Sequence, residues 1–312
     1  MSRLYAMGNV TEFNRGLAMD IPSIKRQAEE VANLAARKYH KVIGKYLQNT
    51  TSVGEFLREM ECVVTTEHRS YFHTHANYLA LGITAFCTSS SVDGSPVIRE
   101  KELIRLYGHE GMGHALNKAM TIKSDLPGIL KRDSALTVAT DESVAQFYER
   151  ALIDVIHGSH DLQRELDIAH KFEEIYQDIR AAELLEEHLR IENMYGICVL
   201  ADTSFGNPID SNVVRARAEK IAQFALDPGK ALRWVDSHKY NYDSEGNFSA
   251  DMISELRYCA RPVDRALDEF RKLGINYDEG GRKIIDPVLL TGFWTPQGYV
   301  DNARIRAQEH IK

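Results

Sequence analysis

The sequence predicts a mainly helical α+β fold with a small antiparallel or mixed sheet set before a central helix. Three observations predict it. Apolar residues recur at helical spacing along most of the 312 residues, beginning with Ile24, Ala28, Val31, Leu34, Ala35 and Tyr39. One short apolar run, Tyr78 to Cys87, reads as buried strand or hairpin, and the run Thr88 to Pro96 after it reads as loop. Proline and glycine at Pro127-Gly128, Asn207-Pro208 and Asp227-Pro228-Gly229 punctuate the helical stretches.

Taken in order, Ser23 to about Leu47 forms an amphipathic helix, and Thr51 to Cys62 forms a second. Residues 63–92 supply the sheet. The flanks Arg99–Tyr107 and Ala115–Met120 read as one amphipathic helix, and a further helix begins near Thr140 or Asp141, either of which can cap it. His157-Gly158-Ser159 makes a turn, and Leu162 to Val199 forms one or two long helices. Asp236 to Asn247 is a loop, Ile253 to Leu273 a helix, and the tail from Asp278 carries turns around Trp294–Gly298. With 44% hydrophobic and 27% charged residues, the chain can bury a full core. The expected division places a catalytic lobe at residues 1–160 and a cleft-closing helical lobe at 161–312, in two domains or one continuous one.

Chemistry concentrates in Tyr107–Asn117, which reads His109-Glu110-Gly111-Met112-Gly113-His114 at its centre. Two imidazoles can hold a metal, and the carboxylate beside the first can act on a metal-activated water. This spacing is one residue longer than the His-Glu-x-x-His signature of zinc peptidases. On a regular α-helix, histidines five apart sit about 140° apart and cannot share one ion. A π-bulge, with its i→i+5 hydrogen bond, restores a shared face. Gly111 and Gly113 lie inside that interval, at about 1 kcal/mol each relative to alanine. Their presence predicts an unusual backbone or a close backbone approach there.

A catalytic zinc takes three protein ligands and keeps one position open. The helix starting 26 residues after His114, at Thr140-Asp141-Glu142, offers the third. The Pro127-Gly128 break lets the two helices fold back antiparallel. Glu142 is the expected ligand, Asp141 the partner orienting a histidine, and Glu149, seven residues on, the rival ligand.

These two motifs resemble the gluzincin side of the zincin metallopeptidases, among them the groups with a His-Glu-x-x-x-His motif. Dipeptidyl-peptidase III has a glycine before its second histidine, as Gly113 stands here. The microtubule-associated tyrosine carboxypeptidases carry a following helix with Thr-Glu-Glu, similar to Thr140-Asp141-Glu142. The resemblance spans residues 99–150. It implies a zincin-like fold, Zn2+ on His109, His114 and Glu142, and Glu110 as the catalytic glutamate. The implied activity is zinc-dependent hydrolysis of peptide bonds, with a peptide or protein as substrate. A zinc amidohydrolase acting on a non-peptide substrate and a non-enzymatic helical scaffold with a decayed site are the alternatives.

Zinc would bring its water's pKa toward about 7, and Glu110 would take that proton and pass it to the leaving amine. Tyr258 is the expected oxyanion donor, with Arg257, Arg261, His238 and Tyr240 as alternatives. The cluster His73-x-His75 puts two rings on one face of a strand, where surface or cleft-lining roles fit better than a metal site. Glu183, Glu186, Glu187, His188 and Glu192 form a solvated helix face. Four dispersed cysteines, no apolar run of membrane-spanning length and no signal-peptide pattern point to the cytoplasm. The net charge of −7 disfavours nucleic acid.

Overall fold

Alanine rather than leucine selects the buried face of the first helix. In the computed structural model, which describes residues 22–181 and 261–311 apart from 52, 67–69, 74–76, 91–93, 133, 135 and 136, helix α1 spans Pro22–Thr50. Its core stripe is Ala28, Ala32, Ala36, Tyr39, Ile43 and Leu47, at helical steps of four and three. The expected face shares Ala28 and Tyr39 with this stripe, but Leu34 is 74% exposed and Val31 and Ala35 are only half-buried. The larger apolar residues pulled the expected face about a quarter turn away from the alanines that touch the core.

Helix α2, Val53–Glu59, is shorter than expected, because Glu61 already pairs with Tyr78 in a sheet. Strands β1 (Glu61–Thr65), β2 (Tyr71–His73) and β3 (Tyr78–Gly82) form a mixed sheet in the order β1-β3-β2. β1 runs parallel to β3, and β2 runs antiparallel to it. One helical turn, α3 (Ile83–Phe86), follows. Part of the expected 88–96 loop is instead a hairpin, with Cys87–Ser89 (β4) antiparallel to Pro96–Ile98 (β5). The mainly helical expectation with a small mixed sheet therefore holds.

Helix α4, Glu100–Leu106, passes without a break into a π-helical stretch, Tyr107–Ala115, and then into α5, Leu116–Lys123. The Leu116 amide donates to the Gly111 carbonyl, five residues back. A 3₁₀ turn at Gly128–Lys131 follows the proline break. Helix α6, Val138–His157, begins one turn earlier than expected, after Thr137. Thr140 and Asp141 therefore lie inside the helix rather than capping it. Helix α7, His160–Leu166, is capped by the Ser159 hydroxyl and ends at Asp167 in the left-handed conformation.

The C-terminal segment corrects a second expectation. Helix α8, Pro262–Arg271, lies within the expected 253–273 helix, and the tail then forms two helices rather than turns. These are α9 (Glu279–Leu289) and α10 (Pro296–Ile311). Helix α9 contains Gly280, Gly281 and Pro287. The glycines fall in the first turn of α9, where the Asp278 carboxylate caps the Gly281 amide at 2.8 Å, and Pro287 falls near its end. Asp286, 2% exposed, accepts hydrogen bonds from Tyr148 of α6 at 2.7 Å and from Tyr277 at 2.9 Å.

The chain divides into two units, Met19–Tyr176 with Ala260–Lys312, and Met1–Ala18 with Gln177–Cys259. Helices α8, α9 and α10 belong to the same unit as the His109 and Glu142 helices. The 183–192 acidic face, the 236–247 loop and the breaks at Pro208 and Pro228 lie outside the described residues. Among the described residues, no helix is long and apolar enough to cross a membrane.

Candidate metal centre

Two residue pairs in the π stretch are five apart, Gly108 with Gly113 and His109 with His114. An i→i+5 ladder places residues five apart about one turn apart, so each pair occupies one face. The glycine pair meets α6. A Cβ on Gly108 would lie 2.7 Å from Cα of Glu149, and one on Gly113 would lie 2.4 Å from Cα of Ala145. No side chain fits at either position unless the helices separate. Neither glycine has a positive φ, so close approach, not backbone freedom, is what requires them. The contacts Gly108 with Glu149, Gly113 with Ala145 and Asn117 with Asp141 run in opposite senses, so the two helices are antiparallel, as the Pro127-Gly128 break predicts.

The histidine pair converges on Glu142. His109 Nε2 lies 3.6 Å from Glu142 Oε2, and His114 Nε2 lies 3.4 Å from Oε1. The two rings sit 5.0 Å apart, nearly perpendicular. Each Nδ1 turns the other way, to a different carboxylate. His114 Nδ1 is hydrogen-bonded to Asp141 Oδ2 at 2.7 Å, and His109 Nδ1 lies 3.4 Å from Glu149 Oε2. Each of these carboxylates is held in turn: Asn117 donates to Asp141 at 2.7 Å, and Arg105 donates to Glu149 at 2.6 Å. A carboxylate only accepts, so each Nδ1 carries a proton, and the Nε2 turned to Glu142 is the position where a metal would replace a proton.

The donor set could hold a metal ion. One donor atom each from His109, His114 and Glu142 lie within 4.8 Å of one another. A tetrahedral zinc with bonds of about 2.0–2.1 Å separates its ligand atoms by about 3.3–3.5 Å. The two imidazole–carboxylate distances, each to a different oxygen of Glu142, are close to that span. Glu149, the rival third ligand, stands behind His109 instead, with its side chain only 12% exposed against 43% for Glu142.

Charge follows geometry. Burial lowers the basicity of His109, but the hydrogen bonds to Glu142 and Glu149 outweigh it and carry its pKa up to about 9. Burial acts likewise on His114, and Asp141 with Glu142 raise it to about 11. Burial works against ionisation of Glu142, yet the two imidazoles hold it well below the usual carboxylate range. Burial pushes the Glu110 carboxyl up, against the pull of His114 and His109. Among the described residues none donates a hydrogen bond to Glu110, so its carboxylate is unengaged beside the cluster.

Sequence reasoning did not identify Arg105 or Asn117, nor the supporting role of Glu149. Arg105 stands four residues before His109 and Asn117 three after His114, spacings that put each near its histidine's helix face. Tyr258, the expected oxyanion donor, lies outside the described residues, as do Arg257, His238, Tyr240 and His75. Arg261 caps α8 in the left-handed conformation and is ion-paired with Asp264 at 2.9 Å. His73 stacks on Tyr78 with ring centroids 5.0 Å apart.

The sequence matches no protein-family model, and neither curated proteins nor solved structures match it significantly.

Proposed function

We propose that the chain is a zincin-like, zinc-dependent hydrolase of peptide bonds. One observation carries this reading: both Nε2 atoms point to one carboxylate while both Nδ1 atoms are held by others. That is the ligand arrangement of a carboxylate-supported His-His-Glu zinc site. Zinc in this site supplies Lewis acidity, acidifying water and polarising a carbonyl oxygen. His109, His114 and Glu142 would hold it, and Asp141 and Glu149 would keep the two imidazoles oriented and electron-rich.

Glu110 is adjacent to His109 and half-buried, with a raised pKa. A carboxylate in that state takes a proton from attacking water as the carbon–oxygen bond forms. It then delivers that proton to the leaving nitrogen as the carbon–nitrogen bond breaks. Tyr258 is the proposed donor to the oxyanion, on the sequence alone.

Metal analysis of protein purified without added metal tests the proposal. Near-stoichiometric zinc is expected in the wild type, and Glu110→Gln should keep the zinc and lose hydrolysis of a peptide library. A protein that takes up no metal under any loading condition removes both enzyme readings and leaves the scaffold.

A further inference from the structure

The π stretch starts at Tyr107, a residue with no exposed surface. Its hydroxyl lies 2.7 Å from His40 Nδ1, and the other ring nitrogen of His40 lies 2.7 Å from the Met60 carbonyl oxygen. A carbonyl can only accept, so His40 Nε2 carries the proton. The lone pair on Nδ1 then accepts a hydrogen bond from the Tyr107 hydroxyl. The result is a directed chain, Tyr107 to His40 to Met60, linking the start of the π stretch to α1 and to the entry of β1. Beyond its hydroxyl, the Tyr107 ring edge lies against Gly111: a Cβ there would be 3.4 Å from Tyr107 Cε2 and 3.1 Å from Leu79 Cδ2. At the far end, Asn117 and His114 are tied to Asp141. The bulge is therefore anchored outside itself at both ends.

We propose that His40 is a positioning residue for the metal centre: by fixing the Tyr107 hydroxyl it holds the i→i+5 register that brings His109 and His114 together. This rests on the zinc reading above. His40 is on a different element from every proposed ligand and touches none of them in the contacts described. Without an external anchor, the stretch can relax toward an α-helix, where the two histidines diverge by about 140°.

The test is zinc affinity by chelator competition on the full chain, together with the visible spectrum of the cobalt-substituted protein. Tyr107→Phe removes only the hydroxyl and keeps the ring packing. His40→Ala removes the anchor, and His40→Gln offers an amide that can donate to Met60 and accept from Tyr107. Tyr107→Phe and His40→Ala should weaken zinc binding about 10- to 100-fold, the range for losing a residue that orients a ligand. They should also alter the cobalt spectrum while far-ultraviolet circular dichroism stays unchanged, and His40→Gln should recover most of the affinity. Should His40→Ala fail to fold, Tyr107→Phe carries the test alone. A folded Tyr107→Phe protein with wild-type affinity and cobalt spectrum overturns the anchor, and a wild type that binds no zinc overturns the metal centre on which it rests.

Discussion

Helix α6 handles buried carboxylates in two opposite ways on its two sides. Toward the π stretch, Asp141, Glu142 and Glu149 meet imidazoles and a guanidinium, and Glu142 and Glu149 are held ionised. On the other side, Asp286 accepts hydrogen bonds from two neutral phenols, Tyr148 and Tyr277, while a Thr51 hydrogen bond and the Arg282 charge act in the same direction. Burial pushes the Asp286 carboxyl up to about 6, and the tyrosine hydrogen bonds only partly offset that. Depth and partner together separate these fates: Asp286 is 2% exposed and the Glu142 side chain 43%. A directly bonded cation makes a carboxylate available as a ligand or orienter, while a phenol stabilises it without cancelling its charge. The first arrangement suits metal chemistry, and the second ties α9 to α6.

The largest break in this contrast comes from His109→Ala/His114→Ala, which should abolish zinc uptake entirely by elemental analysis. In the wild type, uptake should also release protons. The raised pKa values of both imidazoles mean that the metal-free site retains protons at pH 7, so affinity should rise with pH through about 9 and on to about 11. Calorimetry in buffers of different ionisation enthalpy reads this release. Zinc uptake without net proton release would show that the histidines are already neutral in the free site.

Gly113→Ala tests the seam. Its new methyl would need space now filled by the Ala145 backbone, and overpacking of this kind costs about 1–3 kcal/mol. Urea unfolding should show that loss, together with weaker zinc binding, since the helices carrying His114 and Glu142 are forced apart. An unchanged midpoint would mean the helices are not as close as described.

Asp286→Asn sharpens the other side. A carboxyl whose pKa rises from 3.8 to about 6 on folding stabilises the fold fully below about pH 4, and this is lost as pH rises through about 6. The shift corresponds to about 3 kcal/mol. The stability difference between wild type and Asp286→Asn should therefore change by that order between pH 4 and pH 7.5. A difference that is flat with pH would place the Asp286 titration outside that window. The smallest effect is expected from Glu149→Gln, which keeps a hydrogen-bond acceptor beside His109 and removes the charge. Zinc affinity should fall about tenfold by chelator competition, and a complete loss would instead make Glu149 a ligand.

Much of the proposed site was legible in the sequence because it is local. Five-residue spacing predicts the bulge, and the break at Pro127-Gly128 predicts an antiparallel return. What was not legible depends on tertiary contacts. Seven residues separate Glu142 from Glu149, about 10 Å along a helix. They share a face, but only the antiparallel partner decides which one reaches Nε2 and which one Nδ1. The face of α1 was misread because alanines carry little hydrophobic weight in a pattern yet permit the closest packing. Helix α9 contains Gly280, Gly281 and Pro287, residues poor in helices, and its first turn is held by the Asp278 cap, a contact that residue pattern alone does not show.

The doubled five-residue spacing has one more consequence. The glycines that meet α6 and the histidines that face Glu142 move in step, because one ladder carries both. An ordinary α-helix one residue shorter, with each pair four apart, would present the same two pairs on the same two faces. The bulge absorbs a single-residue length change and returns α5 to the phase it would have had without it. A lineage can therefore gain or lose that residue between the two histidines without rotating the remainder of the helix.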